Sequence, residues 1–216
     1  KQSSSRIDLT TPQSVKMIKI HFTDSKGIDY DATSALTGAS KSNENAPKIL
    51  DTPVFSVPAN KTATLTDITI DGNSNNNSII EKSLVNVNNG AILNVSQGAV
   101  LKNNRIKDYP NDATRGGAIY VVKGTLNMNG GSVEANQATY GGGIYLYKST
   151  MNFTGGIVKG NESKLVTDRS VSPTQYYSAG GGILADEGAT INMSGNAEVR
   201  NNSAKEIGGG ISLGSN

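Results

Sequence analysis

Gly141-Gly142-Gly143-Ile144-Tyr145-Leu146 is one of four near-copies of a single phrase. The others are Gly116-Gly117-Ala118-Ile119-Tyr120-Val121, Gly180-Gly181-Gly182-Ile183-Leu184-Ala185 and Gly208-Gly209-Gly210-Ile211-Ser212-Leu213. A glycine run feeding an apolar-x-apolar strand at a recurring interval is the signature of a solenoid, whose repeats bury their apolar faces against one another. The isoleucines at 119, 144, 183 and 211 are 25, 39 and 28 positions apart. The shortest interval predicts a basic coil of about 25 residues, with the surplus of the longer ones held in loops.

The same period holds away from the glycines. Leu93-Asn94-Val95 aligns with Leu126-Asn127-Met128, Met151-Asn152-Phe153 and Ile191-Asn192-Met193. Each is apolar, Asn, apolar, so the aliphatic side chains point inward and the Asn outward. Further short strands are read at Val54 to Val57, Thr64 to Ile70, Leu84 to Val87 and Ala99 to Leu101. Three short strands per coil, all running the same way, predict an all-β fold: a parallel β-helix of three parallel sheets, right-handed by the general rule for parallel crossovers. Five or six coils at the inter-strand spacing make a rod roughly 25 to 30 Å long. The regular pattern covers residues 53–216. Residues 1–52 are read as an N-terminal strand and loop region, a cap or a degenerate coil, with a strand at Val15 to Phe22 and a loop over 31–46. A fresh strand begins just before Asn216, so the helix is expected to continue, or be capped, beyond it.

Composition agrees with a thin core. Hydrophobic residues are 35% and charged residues 18% of the 216, and there are 25 glycines. Such a chain suits a narrow core continuous along one axis, where each coil supplies only a few aliphatics. The net charge of +2, with both signs scattered, gives no polyanion-binding face and speaks against nucleic acid. The absence of cysteine excludes a disulfide frame, a thiol nucleophile and a thiolate metal site. No run is long and apolar enough to cross a bilayer as a helix.

An asparagine follows the last inward aliphatic of each coil: Asn73, Asn103, Asn136, Asn161 and Asn202. At a tight corner Asn tolerates left-handed backbone and bonds nearby main chain, and stacked amides can bond one another. The series is read as a buried structural ladder that sets coil register. The glycine runs are read structurally too, since a phosphate cradle needs a helix after the glycines and here a strand follows.

Val133-Glu134-Ala135-Asn136-Gln137-Ala138-Thr139-Tyr140-Gly141-Gly142-Gly143-Ile144 resembles the Phe-x-x-Asn…Gly-Gly-Ala-Ile repeats of polymorphic outer-membrane adhesins, with valine in place of phenylalanine. Val199 to Ile211 repeats the pattern with one more residue. Over about residues 53 to 216 the chain is more similar to the pectate-lyase-like adhesive domains of cell-wall-anchored proteins of Gram-positive bacteria. That resemblance implies a right-handed β-helix in a secreted, cell-surface protein. It implies one module of a larger chain, contacting a host or microbial polysaccharide or glycoprotein, with no cofactor.

The same fold carries polysaccharide lyases and hydrolases, so an enzyme acting on uronate-type polymers is the alternative reading. Asp67 and Asp71, read on one strand face, stand roughly 13 Å apart at about 3.3 Å per residue, too far for a glycosidase pair. Arg105-Ile106-Lys107 spells a tripeptide known from polygalacturonases, without that family's other elements. Asp108, Asp112, Asp168 and Asp186, with Arg115 or Arg169, show no spacing that would stack carboxylates round Ca²⁺. His21, the one histidine, lies outside the regular repeats. No catalytic or metal-ligating set is therefore assigned. A spacer without ligand is the third reading.

Binding is placed instead on the edge from which the long insertions, Arg105 to Arg115 and Glu162 to Ala179, leave the rod. Recognition is commonly built on loops grouped on a rigid scaffold. Seven of the eight tyrosines lie between 109 and 177. Tyr120 and Tyr145 occupy one outward strand position in adjacent coils and should stack about 4.8 Å apart. With Tyr109, Tyr140, Tyr147, Tyr177 and Arg115 they form the expected ligand-binding set, since tyrosine offers a sugar ring or a protein both a flat apolar face and a hydroxyl. Packing of these rings over the glycine-rich surface is the competing reading. A second outward row, Asn94, Asn127, Asn152 and Asn192, makes a further polar stripe.

Overall fold

The computed structural model describes residues 53–72, 82–106, 114–164 and 178–214 in full, and the backbone of 18–23, 29–34, 49–50 and 79–80. Every element among them is a strand, and the strands from residue 53 on pair with one another only in parallel. Three sheets of parallel strands stack in chain order, the architecture of a parallel β-helix, and the first also takes in Thr69–Asp71 and Val100–Lys102. Sheet 1 contains Thr62–Leu65, Ile92–Val95, Thr125–Glu134, Thr150–Lys159 and Thr190–Arg200. Sheet 2 contains Phe55–Val57, Val85–Val87, Ile119–Val122, Ile144–Tyr147, Ile183–Asp186 and Ile211–Leu213. Sheet 3 is short, formed by Gln137–Ala138, Glu162–Ser163 and Ser203–Ala204.

The glycine-run strands pair as the repeat requires: Ile119 lies against Ile144, Ile144 against Ile183, and Ile183 against Ile211. One buried cluster runs from Val57 to Ala185 through the coils. Its members, such as Leu93, Leu126, Met151, Ile119, Ile144 and Ile183, are fully buried. Each large aliphatic so buried contributes about 1.5–3 kcal/mol, which lets a chain of modest hydrophobic content hold its coils together.

Two strand readings change. The expected strand Thr64 to Ile70 is two strands, Thr62–Leu65 and Thr69–Asp71, separated by a corner at Asp67 with φ of 50°. Asp67 and Asp71 therefore do not share a strand. The expected loop over 31–46 includes strand for its first residues. Asp29–Ser34 pairs antiparallel with Ile18–Thr23, which runs antiparallel beside Thr62–Leu65 at the end of sheet 1.

The glycine runs owe their composition to two constraints. The first glycine of each run takes positive φ: 61° at Gly116, 60° at Gly141, 64° at Gly180 and 62° at Gly208. Where another described coil follows, the second has no room for a side chain: a Cβ on Gly142 would strike the carbonyl oxygens of Glu162 and Gly181 in the next coil. The third position is less demanding, and Ala118 fills it in one coil.

The buried asparagine ladder is present, with one correction. Nδ2 of Asn136 donates to Oδ1 of Asn161 at 3.0 Å, and Nδ2 of Asn161 to Oδ1 of Asn202 at 2.9 Å. Each Oδ1 also accepts the backbone N–H of the preceding ladder residue. The member before Asn136 is Asn104, not Asn103. Leu101, rather than Val100, pairs with Val133 and points inward, which moves the count on by one. Asn103 takes the left-handed corner at φ 54°, the place held by Ala135, Gly160 and Asn201 in later coils. Asn73 lies outside the described residues.

Candidate functional site

The Gly-Gly-x-Ile phrase fixes which tyrosines face out. In Ile119–Val122 and Ile144–Tyr147 the first and third residues enter the core, so the second and fourth point away from it. Register then lines up Ser56, Asn86, Tyr120, Tyr145, Leu184 and Ser212 along the rod. A parallel row places Val122, Tyr147 and Asp186 side by side.

Tyr120 and Tyr145 are neighbours as expected, with ring centres 5.4 Å apart, but the rings are tilted by 59° rather than stacked flat. Arg115 and Tyr140 join them through the chain that enters the next glycine run, where Arg115 bridges Tyr140 and Tyr140 bridges Ala179. The guanidinium carbon of Arg115 lies 5.9 Å from the ring centres of both Tyr140 and Tyr145. Such cation–π contacts are worth about 0.5–1 kcal/mol at an exposed site. Lys148 caps the far end, its Nζ 5.3 Å from the centre of the Tyr147 ring.

Burial divides the set. Tyr145 is only 3% exposed, closed over within a cluster formed with Ala179 and Leu184. Tyr120, Tyr140 and Tyr147 pack against that cluster and remain half-buried. The Tyr145 hydroxyl donates to Oδ2 of Asp186 at 2.7 Å. Burial, followed by the bond to Asp186 and its charge, pushes the Tyr145 phenol well above the usual range, so it stays protonated. Burial raises Tyr120 as well, against the opposing field of Arg115.

Tyr145 is therefore the floor of the patch, and Tyr120, Tyr140 and Tyr147 are its accessible walls. This corrects the expectation of two equivalent open rings. Beside Tyr120, Oδ1 of Asn86 is buried with no hydrogen-bond partner among the described residues, an acceptor of the kind that a hydroxyl or a water satisfies. Tyr109 and Tyr177 lie outside the described residues, as do residues 107–113 and 165–177 of the two insertions. Asp186 and Lys148 were not assigned to the site from sequence. Aligning Ile183 with Ile144 would have put Asp186 beside Tyr147.

Among the described residues no group of three or more His, Cys, Asp or Glu is arranged to hold a metal ion. No helix among them is long and apolar enough to cross a membrane. Comparison with family models, with curated proteins and with solved structures returns no match.

Proposed function

We propose that this chain is a binding module of a bacterial cell-surface protein. It recognises a glycan, free or on a glycoprotein, at the patch of Tyr120, Tyr140 and Tyr147 with Arg115. The observation that carries the reading is the patch itself. Four tyrosines and two cations converge on the outside of a rigid sheet whose other outward positions in the same row are Ser, Asn and Leu. Half-buried rings offer apolar faces to a sugar while their hydroxyls and the guanidinium supply polar contacts. The locked floor, Tyr145 on Asp186, holds the walls in place before a ligand arrives, which limits the entropy lost on binding. The lack of cysteine and the resemblance of the repeats to adhesive β-helices support the cell-surface setting.

The test is a glycan and host-matrix binding panel with the double variant Tyr120→Ala/Tyr147→Ala. Affinity should fall at least tenfold while the melting temperature stays within a few degrees. Equal affinity in the variant removes the site from consideration. A chain with no ligand on any panel is a spacer instead. Release of unsaturated product from uronate polymers would replace the binding reading by a lyase.

A further inference from the structure

We propose a second binding surface on the outer face of sheet 1, whose ligand is a single extended chain of uncharged polysaccharide lying along the rod. The middle outward row of this face is Thr64, Asn94, Asn127, Asn152 and Asn192. Nδ2 of Asn94 donates to the Thr64 hydroxyl at 3.1 Å. The next three asparagines each donate to the Oδ1 before them, at 2.9, 2.8 and 2.9 Å. An amide has two N–H donors and two acceptor lone pairs. The ladder bonds occupy one of each at Asn127 and Asn152, so every step keeps a donor and an acceptor for a ligand. Their directions are fixed beforehand, and little rotamer freedom remains to be lost.

The surroundings narrow the ligand. The flanking row is Thr62, Ile92, Thr125, Thr150 and Thr190, and the row beyond the ladder is again only Thr, Ser or Asn. None of these positions carries charge or an aromatic ring. The next outward row along these strands is Thr69, Val100, Ser132, Ile157 and Glu198, and the one after it carries a charge in every coil, as Asp71, Lys102, Glu134, Lys159 and Arg200. The neutral strip thus ends towards a charged row on the same sheet. Groups that both donate and accept, without net charge, suit sugar hydroxyls, which do the same, and give an acidic polymer nothing to bind.

Dimensionality narrows it further. The amide row is unbroken along the axis at the sheet spacing of about 4.8 Å. Across the strip the threonine row is interrupted by Ile92. Periodic matching therefore runs in one direction, which a linear polymer needs. A crystalline lattice such as ice requires matching in two. The strip lies on a different sheet from the tyrosine patch, so either surface can fail without the other.

The experiment is co-sedimentation with microcrystalline cellulose and with chitin, alongside an ice-recrystallisation assay. The variant is Thr125→Lys/Thr150→Lys, which places charge on the strip without touching the amide ladder. Wild type should be retained on at least one polymer. The variant should lose at least tenfold in retention at unchanged melting temperature. If the double lysine variant melts early, Thr154→Lys at the exposed outer row replaces it. No retention of wild type on either polymer, equal retention by the lysine variant, or ice activity without polymer retention overturns the proposal.

Discussion

At the scale of the residue, Tyr145 shows how far position and accessibility can separate. Its strand position points it away from the core, yet Ala179, Leu184 and its tyrosine neighbours bury it to 3% exposure. Its hydroxyl then needs a partner and has one in Asp186. This has a pH consequence. An unfolded tyrosine titrates near pH 10, and the folded Tyr145 holds its proton above that. Between the two values the native state binds more protons than the unfolded one, so stability present below about pH 10 falls as pH rises. The loss approaches about 1.4 kcal/mol per pH unit for one such group. Urea unfolding measured from pH 8 upward should show this decline, and Tyr145→Phe should flatten it, leaving the smaller share from Tyr120. An unchanged slope in Tyr145→Phe would show that the phenol ionises freely in the folded chain. The pairing of Tyr120 with Tyr145 was legible from the spacing of the two phrases. The burial was not, because it depends on Leu184 one coil on and on Arg115 arriving from another segment.

At the scale of the element, the structure is held by rows rather than by strands. The buried amide ladder joins Asn104, Asn136, Asn161 and Asn202 across three steps between coils, and each member also bonds main chain. Asn136→Ala removes bonds to the carbonyls of Leu101 and Glu134 and leaves the Asn104 N–H without its acceptor. The expected loss is about 2–4 kcal/mol, summing bonds worth roughly 1 kcal/mol each with the penalty for stranded buried groups. Asn127→Ala in the half-exposed outer ladder should cost about 1 kcal/mol, since water can replace its partners. Denaturant midpoints of the two variants check the contrast, and equal losses would contradict it.

A third row alternates in sign for much of its length. Lys102 lies 3.5 Å from Asp71, and Lys159 lies 2.9 Å from Glu134. Such exposed pairs contribute little to stability, about 0–1 kcal/mol each. A strand slipped by one residue would turn them inward, so they discriminate against the wrong register. Sequence reading recognised the amide series because Val133 and Val199 stand between polar neighbours and so mark the inward position. It misplaced the Asn103 step because Val100 and Leu101 are both apolar, and only pairing tells which one enters the core.

At the scale of the molecule, the β-helix was readable because period, glycine placement and apolar alternation all repeat. Repetition is a property of sequence, and the stacking it implies follows from the strand spacing alone. What a single coil does with its surface is not repeated, so the patch had to be found by geometry. The coils also differ in length without disturbing the stack. Two coils depart from the short spacing: Asn104 to Gly116 is 12 positions and Asn161 to Gly180 is 19, against five from Asn136 to Gly141. Both departures lie between the amide corner and the glycine run, while the pairings on either side continue in register.

The direction of the backbone hydrogen bonds sets how such a rod answers to tension. Bonds such as Gly142 N–H to Gly180 O and Ile144 N–H to Gly182 O join one coil to the next and so lie along the axis. A load drawn between the two ends meets them a few at a time, as a zipper does, rather than shearing a whole sheet at once. Each coil released is a length of spare chain. The 25 residues from Ile119 to Ile144 extend to about 80–90 Å at 3.3–3.6 Å per residue. Single-molecule stretching should therefore record a series of small yielding steps of that order, with longer ones where an insertion comes free. A single rupture spanning all coils would mean that they share load. A rod that lengthens coil by coil spreads the work of a sudden pull over many small events instead of one.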